Sequence, residues 1–147
     1  MNELRIELFN KSEMNVDTLT DIWYQGSVQA HDFISPDYWH SKIKDMRDQY
    51  IPMSETYVIY DQSEIAGFVS MVDDYLAALF IHPHYQGNGY GKELLNFIKG
   101  QKSKASLKVY KKNESAVRFY ERNGFVIKEM LLDENTKHEE LLMEWEE

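Results

Sequence analysis

"IHPHYQGNGYGKELL", residues 81–95, sets Gly87, Gly89 and Gly91 at alternate positions directly before a helical pattern that runs on through Leu94, Leu95 and Ile98. Glycine inside an element costs roughly 0.5–1 kcal/mol relative to alanine. Three of them in five positions therefore mark a place where something approaches the backbone. Upstream, the apolar run YLAALFI (75–81) ends just before Pro83, so the order is strand, glycine-rich turn, helix N-terminus. Backbone N–H groups converge at such a junction and the helix dipole adds partial positive charge, which suits a phosphate. Two phosphate motifs do not fit. A P-loop needs Ser or Thr after its lysine, and here Glu93 follows Lys92. A G-x-G-x-x-G fingerprint begun at Gly87 ends on Lys92, and one begun at Gly89 ends on Leu94. A plain tight turn between strand and helix is the competing reading.

Working outward, residues 3–9 (ELRIELF) alternate as a strand does, and residues 15–31 repeat at helical spacing through Val16, Leu19, Ile22, Trp23, Gly26 and Ala30. Pro36 suits the first turn of a second helix carrying Tyr38, Trp39, Ile43 and Met46. TYVIYDQSEIAGFVSMV (56–72) reads as two strands around a turn at Asp61–Glu64. SLKVY (106–110) is a short strand. Asn113 caps a helix through Arg122 that carries Ala116, Val117 and Tyr120 and stops at Asn123-Gly124. FVIKEMLL (125–132) and EELLMEW (139–145) are the last two strands. The order β-α-α-β-β-β-α-β-α-β-β predicts an α/β chain with a mixed sheet of seven strands. With no repeat, low-complexity tract or linker in 147 residues, one domain over 1–147 is expected.

Composition narrows the function. Hydrophobic residues make up 43% and aromatics 14%, enough for a packed core. No apolar run approaches the roughly 20 residues that span a bilayer. The start, MNELRIELFN, lacks a signal peptide's apolar segment, and there is no cysteine for disulfides or thiolate metal sites. A cytoplasmic protein is expected, without a metal and without a membrane partner. The formal net charge of −9 disfavours nucleic acid and favours amines, or is simply a solvated surface.

The whole segment narrows the choice further. Gln86-Gly87-Asn88-Gly89-Tyr90-Gly91 satisfies [QR]-x-x-G-x-[GA], and Asn113, Ala116, Tyr120 and Gly124-Phe125 satisfy N-x-x-A-x-x-x-Y-x-x-x-G-F. Both motifs, in this order, resemble those of the GNAT superfamily of acyl-CoA-dependent N-acetyltransferases. They cover residues 75–126, and the strand order extends the resemblance over nearly the whole chain. The resemblance implies a mostly antiparallel mixed sheet with helices on both faces and splayed central strands. It implies acetyl-CoA as co-substrate, no metal, and either a monomer or a homodimer.

Carried residue by residue, it places the coenzyme A pyrophosphate against the backbone of Gln86, Gly87, Asn88, Gly89, Tyr90, Gly91 and Lys92. It lays the pantetheine arm along Leu79, Phe80 and Ile81, one of whose N–H groups would polarise the thioester carbonyl. Asn113 would bond coenzyme A, beside its role as a helix cap. Tyr120 matches the tyrosine that protonates the departing sulfur, a sensible donor because a phenol's pKa of about 10 exceeds a thiol's. The competing reading of Tyr120 is a core residue on a buried helix face.

The acceptor side is less determined. An alkyl ammonium is neutral only about one part in 2,000 at pH 7, so proton removal matters. Members that acetylate ribosomal-protein N-termini carry a glutamate five residues before the Asn motif; Lys108 stands there, which argues against that activity. His31, Asp32, His82 and His84 remain as candidate bases, with other carboxylates acting through water. WYQGSVQAHDFIS (23–35) falls where the superfamily builds its acceptor pocket, so Trp23, His31, Asp32 and Phe33 are candidate substrate residues, though aromatics at helical spacing also build cores. Asp73, Asp74 and Glu134 are expected near the same side. The leading reading is transfer of acetyl from acetyl-CoA to a primary amine, in a small molecule or a lysine side chain. A non-catalytic acyl-CoA sensor is the alternative, and acetylation of charged tRNA is disfavoured by the negative charge.

Overall fold

The computed structural model describes residues 5–147. The outermost strand on one edge, β1 (Arg5–Leu8), falls on the expected alternating segment, whose first residues lie outside the described part. Helix α1 (Val16–Ala30) starts where Asn15 accepts a hydrogen bond from the Asp17 N–H at 2.9 Å, and it buries Leu19, Ile22 and Trp23 against the sheet.

The second helix departs from expectation. α2 (Pro36–Ser41) is only six residues long, because the Lys42 N–H turns back to the Trp39 carbonyl. Three short helical pieces follow, Ile43–Asp45, a π-turn at Met46–Tyr50, and Ile51–Met53. The wide turn has a covalent cause. Pro52 has no N–H to donate, and its ring would crowd the carbonyl four residues back. The preceding turn loosens, and the Ile51 N–H reaches the Met46 carbonyl five residues back. The widened turn swings Ile51 into the core.

The other strands are β2 (Glu55–Asp61), β3 (Glu64–Val72), β4 (Tyr75–Ile81), β5 (Lys104–Tyr110), β6 (Val126–Asp133) and β7 (His138–Glu146). They form one mixed sheet in the order β1-β2-β3-β4-β5-β7-β6. Side chains alternate across it as the pleat requires. Val58 and Phe68, directly opposite each other on β2 and β3, face α1 and α2. Ile59, Val69 and Met71 face the opposite way, toward α3 (Tyr90–Gln101) and α4 (Glu114–Arg122), where Leu94, Leu95 and Ile98 complete the core. The Asn123-Gly124 stop works as expected, with Gly124 at φ +91° and the Phe125 N–H returning to the Tyr120 carbonyl.

The feature that positions the site is a failure of pairing. Every neighbouring pair in the sheet is antiparallel except β4 and β5, which run parallel and meet only at Tyr75 and Ser106. From Leu76 onward the two strands diverge. On its other side β4 is held tightly by β3. Gly67, opposite Ile81, has no room for a side chain, since an added Cβ would stand 2.5 Å from the Phe80 carbonyl oxygen. Gly67→Ala is therefore expected to push β3 and β4 apart and cost about 1–3 kcal/mol, read as a lower urea midpoint at unchanged m.

Candidate active site

The hydrogen-bond register along β4 decides which backbone groups face the gap. The His82 N–H donates to the Ala66 carbonyl at 2.8 Å, so Gly67 and Ile81 are a non-bonded pair of the antiparallel ladder. By alternation the Phe68–Phe80 pair exchanges its bonds, while Leu79, opposite Val69, and Ile81 turn their N–H and C=O groups toward β5. β5 is not there to receive them. The Ile81 carbonyl takes the Gln86 side-chain amide instead, at 3.1 Å. Of the three residues expected along a pantetheine arm, Leu79 thus turns both its N–H and its C=O into the gap, Ile81 turns its N–H there with its carbonyl held by Gln86, and Phe80 presents its ring.

The gap opens as a cleft of about 440 Å³ lined by Gln29, Leu79, Phe80, Ile81, Gln86, Gly91, Asn113, Phe119 and Tyr120. Beside it, between the splayed strands, lies a space of about 150 Å³ bordered by His31, Lys108, Tyr110 and Glu140, with Asn113 and Tyr120 lining both. At the outer end stands the glycine turn. Gly87 and Gly89 have φ of +83° and +82°, and nothing lies within 4 Å of where their Cβ atoms would be. Gly89 caps α3 without any side-chain hydrogen bond. Among the described residues no acceptor meets the N–H groups of Gly87 through Lys92. A row of unpaired donors on the dipole end of a twelve-residue helix, with open space before it, fits a pyrophosphate. Gly91 differs: its Cβ would make ordinary contact with Phe119 at 3.5 Å. The Tyr90 ring is occupied in the core, its hydroxyl donating to Asp61 at 2.6 Å, so only its backbone is free for a ligand. Asn88 spends its side-chain amide on the Tyr85 carbonyl.

Tyr120 lies at the junction of the two parts of the cleft. It is almost wholly buried, and its hydroxyl has no hydrogen-bond partner among the described residues. Burial pushes its phenol well above the ordinary value, so it stays protonated through any working pH. Asn113 uses Oδ1 to cap α4 at the Ala116 N–H and directs Nδ2 toward His31 Nε2, 3.5 Å away.

The candidate acceptor residues separate. His31 lines the inner space, whereas Phe33 borders neither part of the cleft and packs edge to face on His31 at 5.7 Å. Trp23 does not line the cleft; it is a core residue, edge-on to Trp39. Asp32 is exposed in the turn after α1. His82 caps the short turn Pro83–Tyr85 by accepting the His84 N–H, and neither histidine borders the cleft. Asp74 borders a different hollow of about 500 Å³ at the paired end of β4 and β5, with Lys104, Ser106 and Trp145. Asp73 is in the β3–β4 turn at φ +54°, and Glu134 is exposed and paired with Lys137 at 3.2 Å.

The carboxylate that does reach the inner space is Glu140. It stands opposite Tyr110 across the β5–β7 ladder. Burial, and then the Asp133 charge, raise its pKa against the opposing pull of Lys108. Burial works against ionised Asp133 as well, but hydrogen bonds from Tyr110, Asn135 and Thr136 keep its carboxyl below the usual range. No motif marks Glu140, which lies in a run of nine acidic and apolar residues (139–147), and only strand pairing brings it beside Tyr110.

Residues 52–127 match the profile of the family described as "Acetyltransferase (GNAT) domain". This chain belongs to the GNAT acetyltransferases. The enzyme is 30% identical over 128 residues to the peptidyl-lysine N-acetyltransferase YiaC of Escherichia coli, covering 86% of this chain and 88% of that one. It is also 30% identical over 112 residues to the peptidyl-lysine N-acetyltransferase YjaB of Salmonella typhimurium, covering 76% and 77%. The solution structure of apo YjaB from Escherichia coli shares the acetyltransferase's fold at TM-score 0.84 and 24% identity, over 97% of both chains. So does the Thermoplasma acidophilum PaiA acetyltransferase in complex with coenzyme A, at TM-score 0.80 and 18% identity, over 99% of both. The chain is an acetyl-CoA-dependent N-acetyltransferase. Among the described residues no group of side chains is spaced to hold a metal ion, and no helix is long and apolar enough to cross a membrane.

Proposed function

We propose that the acceptor is the side-chain amine of lysine in a peptide or protein, and that this single domain acts in the cytoplasm. The observation that carries the reading is that the outer cleft and the inner space share Leu79, Phe80, Asn113, Ala116 and Tyr120 as a common wall. Unpaired N–H donors stand at one end, Tyr120 at the middle and Glu140 at the other end, along the gap between β4 and β5. A slender alkyl amine can enter such a gap from the carboxylate end while an acyl carrier occupies the other. The peptidyl-lysine activity named for relatives that align over most of their length supports the same choice.

The N–H groups of Gly87 to Lys92 would hold the pyrophosphate, and Lys92, which has no carboxylate partner among the described residues, would add charge. The backbone of Leu79 and Ile81 would bond the pantetheine amides, and an N–H from this strand would polarise the thioester carbonyl. Tyr120 would donate its proton to the departing sulfur. Acetyl-CoA supplies the activated acyl group.

The test is free-thiol release from acetyl-CoA across lysine peptides, polyamines, aminoglycosides and amino acids, with mass spectrometry to place the acetyl group. Lysine peptides flanked by further cations are expected to give the highest kcat/KM, because Glu140 and the net charge of −9 attract them. Raising salt from about 0.05 to 0.5 M should raise their KM several-fold through screening. Faster turnover of neutral or acidic amines, with no salt effect, would refute the reading.

A further inference from the structure

His31 sits at the C-terminal end of α1, only 8% exposed, yet it lines the inner space of the cleft. Its Nδ1 lies 2.8 Å from the Ser27 carbonyl oxygen. A carbonyl can only accept, so Nδ1 carries the proton and Nε2 carries the lone pair. The ring cannot swing away from that arrangement. Trp39 stacks on it at 4.9 Å, and Phe33 and Tyr110 meet it edge to face at 5.7 and 5.2 Å. Nε2 points away from α1 to the start of α4, where its one hydrogen-bond contact among the described residues is Asn113 Nδ2 at 3.5 Å. That is longer than an ordinary N–H···N contact and leaves the lone pair available to a ligand. A ring locked on three sides and presenting a bare acceptor to the reaction cleft is more than core packing requires.

We propose, resting on the acetyl-transfer reading above, that His31 Nε2 is the general base that takes the proton from the incoming ammonium. The lysine ammonium gives one proton to Nε2 and becomes the free amine. Its lone pair forms the bond to the acetyl carbon, and the C–S bond breaks with its electrons leaving on sulfur. Tyr120 supplies a proton to that sulfur and regains one from the acylated nitrogen. The imidazolium returns its proton to solvent, so the products are amide, thiol and one released proton.

The surroundings suit the part. Burial lowers the pKa of His31, outweighing the Ser27 carbonyl that favours the charged form, so the ring is neutral at pH 7. The groups that face it are Asn113 and Tyr120 from α4, Lys108 and Tyr110 from β5, and Glu140 from β7. Behind these, Asp133 accepts from Tyr110, while His138 packs on Phe33 and Lys112 lies over the Phe33 ring. Glu140 is the carboxylate that borders the same inner space.

Nitrogen-15 NMR of the wild-type protein tests the proton's place without any variant. The expected result at pH 7 is a neutral His31 with its proton on Nδ1, titrating below the ordinary value of about 6.5. A proton on Nε2, or an imidazolium at pH 7, would overturn the proposal. In kinetics on a confirmed acceptor, kcat/KM should rise with pH through the NMR value of His31, because only the neutral ring accepts a proton. His31→Gln should remove that limb and lower kcat roughly 10- to 100-fold, with the stabilisation by acetyl-CoA unchanged. Should His31→Gln fail to fold, His31→Asn takes its place. Retention of both limb and rate in either folded variant would overturn the assignment. A wild-type enzyme that acetylates small amines but no lysine peptide refutes the lysine reading alone, and the same pH profile on that amine then decides His31.

Discussion

Replacing Gly89 with valine is expected to nearly abolish the rise in melting temperature that acetyl-CoA produces in the wild-type protein. Ligand at about a hundred times its Kd stabilises the native state by about 2.7 kcal/mol. The variant should keep about 0.4 kcal/mol of that or less, because its Kd rises by roughly 10²-fold or more. The estimate follows from the chemistry of the turn. The donors around Gly89 have no partner among the described residues, and each charge-assisted bond to phosphate contributes about 1.5–3 kcal/mol. A branched side chain standing in the open space before Gly89 would exclude at least two of them. The protein itself should survive. Nothing lies within 4 Å of the new Cβ, so the cost is backbone strain at φ +82°, about 1–2 kcal/mol. Differential scanning fluorimetry with and without acetyl-CoA separates the two effects. A normal ligand shift in Gly89→Val would remove the pyrophosphate from this turn.

Tyr120→Phe is expected to lower kcat by about 10²-fold while acetyl-CoA affinity stays within about twofold. The residue borders both parts of the cleft, and its hydroxyl makes no hydrogen bond within the described residues that the fold would lose. Phenylalanine keeps the ring packed against Phe119 and Phe125. The melting temperature should therefore hardly move, and a large loss of turnover would be chemical. The pH profile adds a sign. Burial raises the phenol's pKa, so the wild-type rate should not fall between pH 8 and 10 from loss of this proton. Unchanged turnover in Tyr120→Phe on a confirmed acceptor would make Tyr120 a packing residue, with the thiolate leaving unaided.

The order of elements was legible along the chain because each signal was local. The alternation of β2 and β3, the cap at Asn113 and the stop at Gly124 depend on residues within a turn of one another. Helical spacing through Tyr38, Trp39, Ile43 and Met46 does not reveal that the helix breaks at Lys42, nor that Pro52 acts backward to widen the next turn into a π-turn. Trp23 illustrates a different limit. An aromatic at helical spacing faces something buried, but core and pocket wall share that pattern until the opposite surface is known.

The glycine turn is the part of the site that the sequence determined by itself, since donors, positive φ and helix N-terminus all lie within six consecutive residues, Gly87 to Lys92. What lies opposite them was decided only by tertiary structure. Single pairing of β4 with β5 at Tyr75–Ser106 opens the gap, and the ladder register turns Leu79 and Ile81 into it rather than Phe80. Glu140 enters because β7 pairs with β5, and His31 because α1 ends beside the cap of α4, 82 residues away in sequence. Backbone geometry is written into neighbouring residues. The meeting of distant side chains depends on how the strands pair and how the helices cross, and that is settled by packing the whole core.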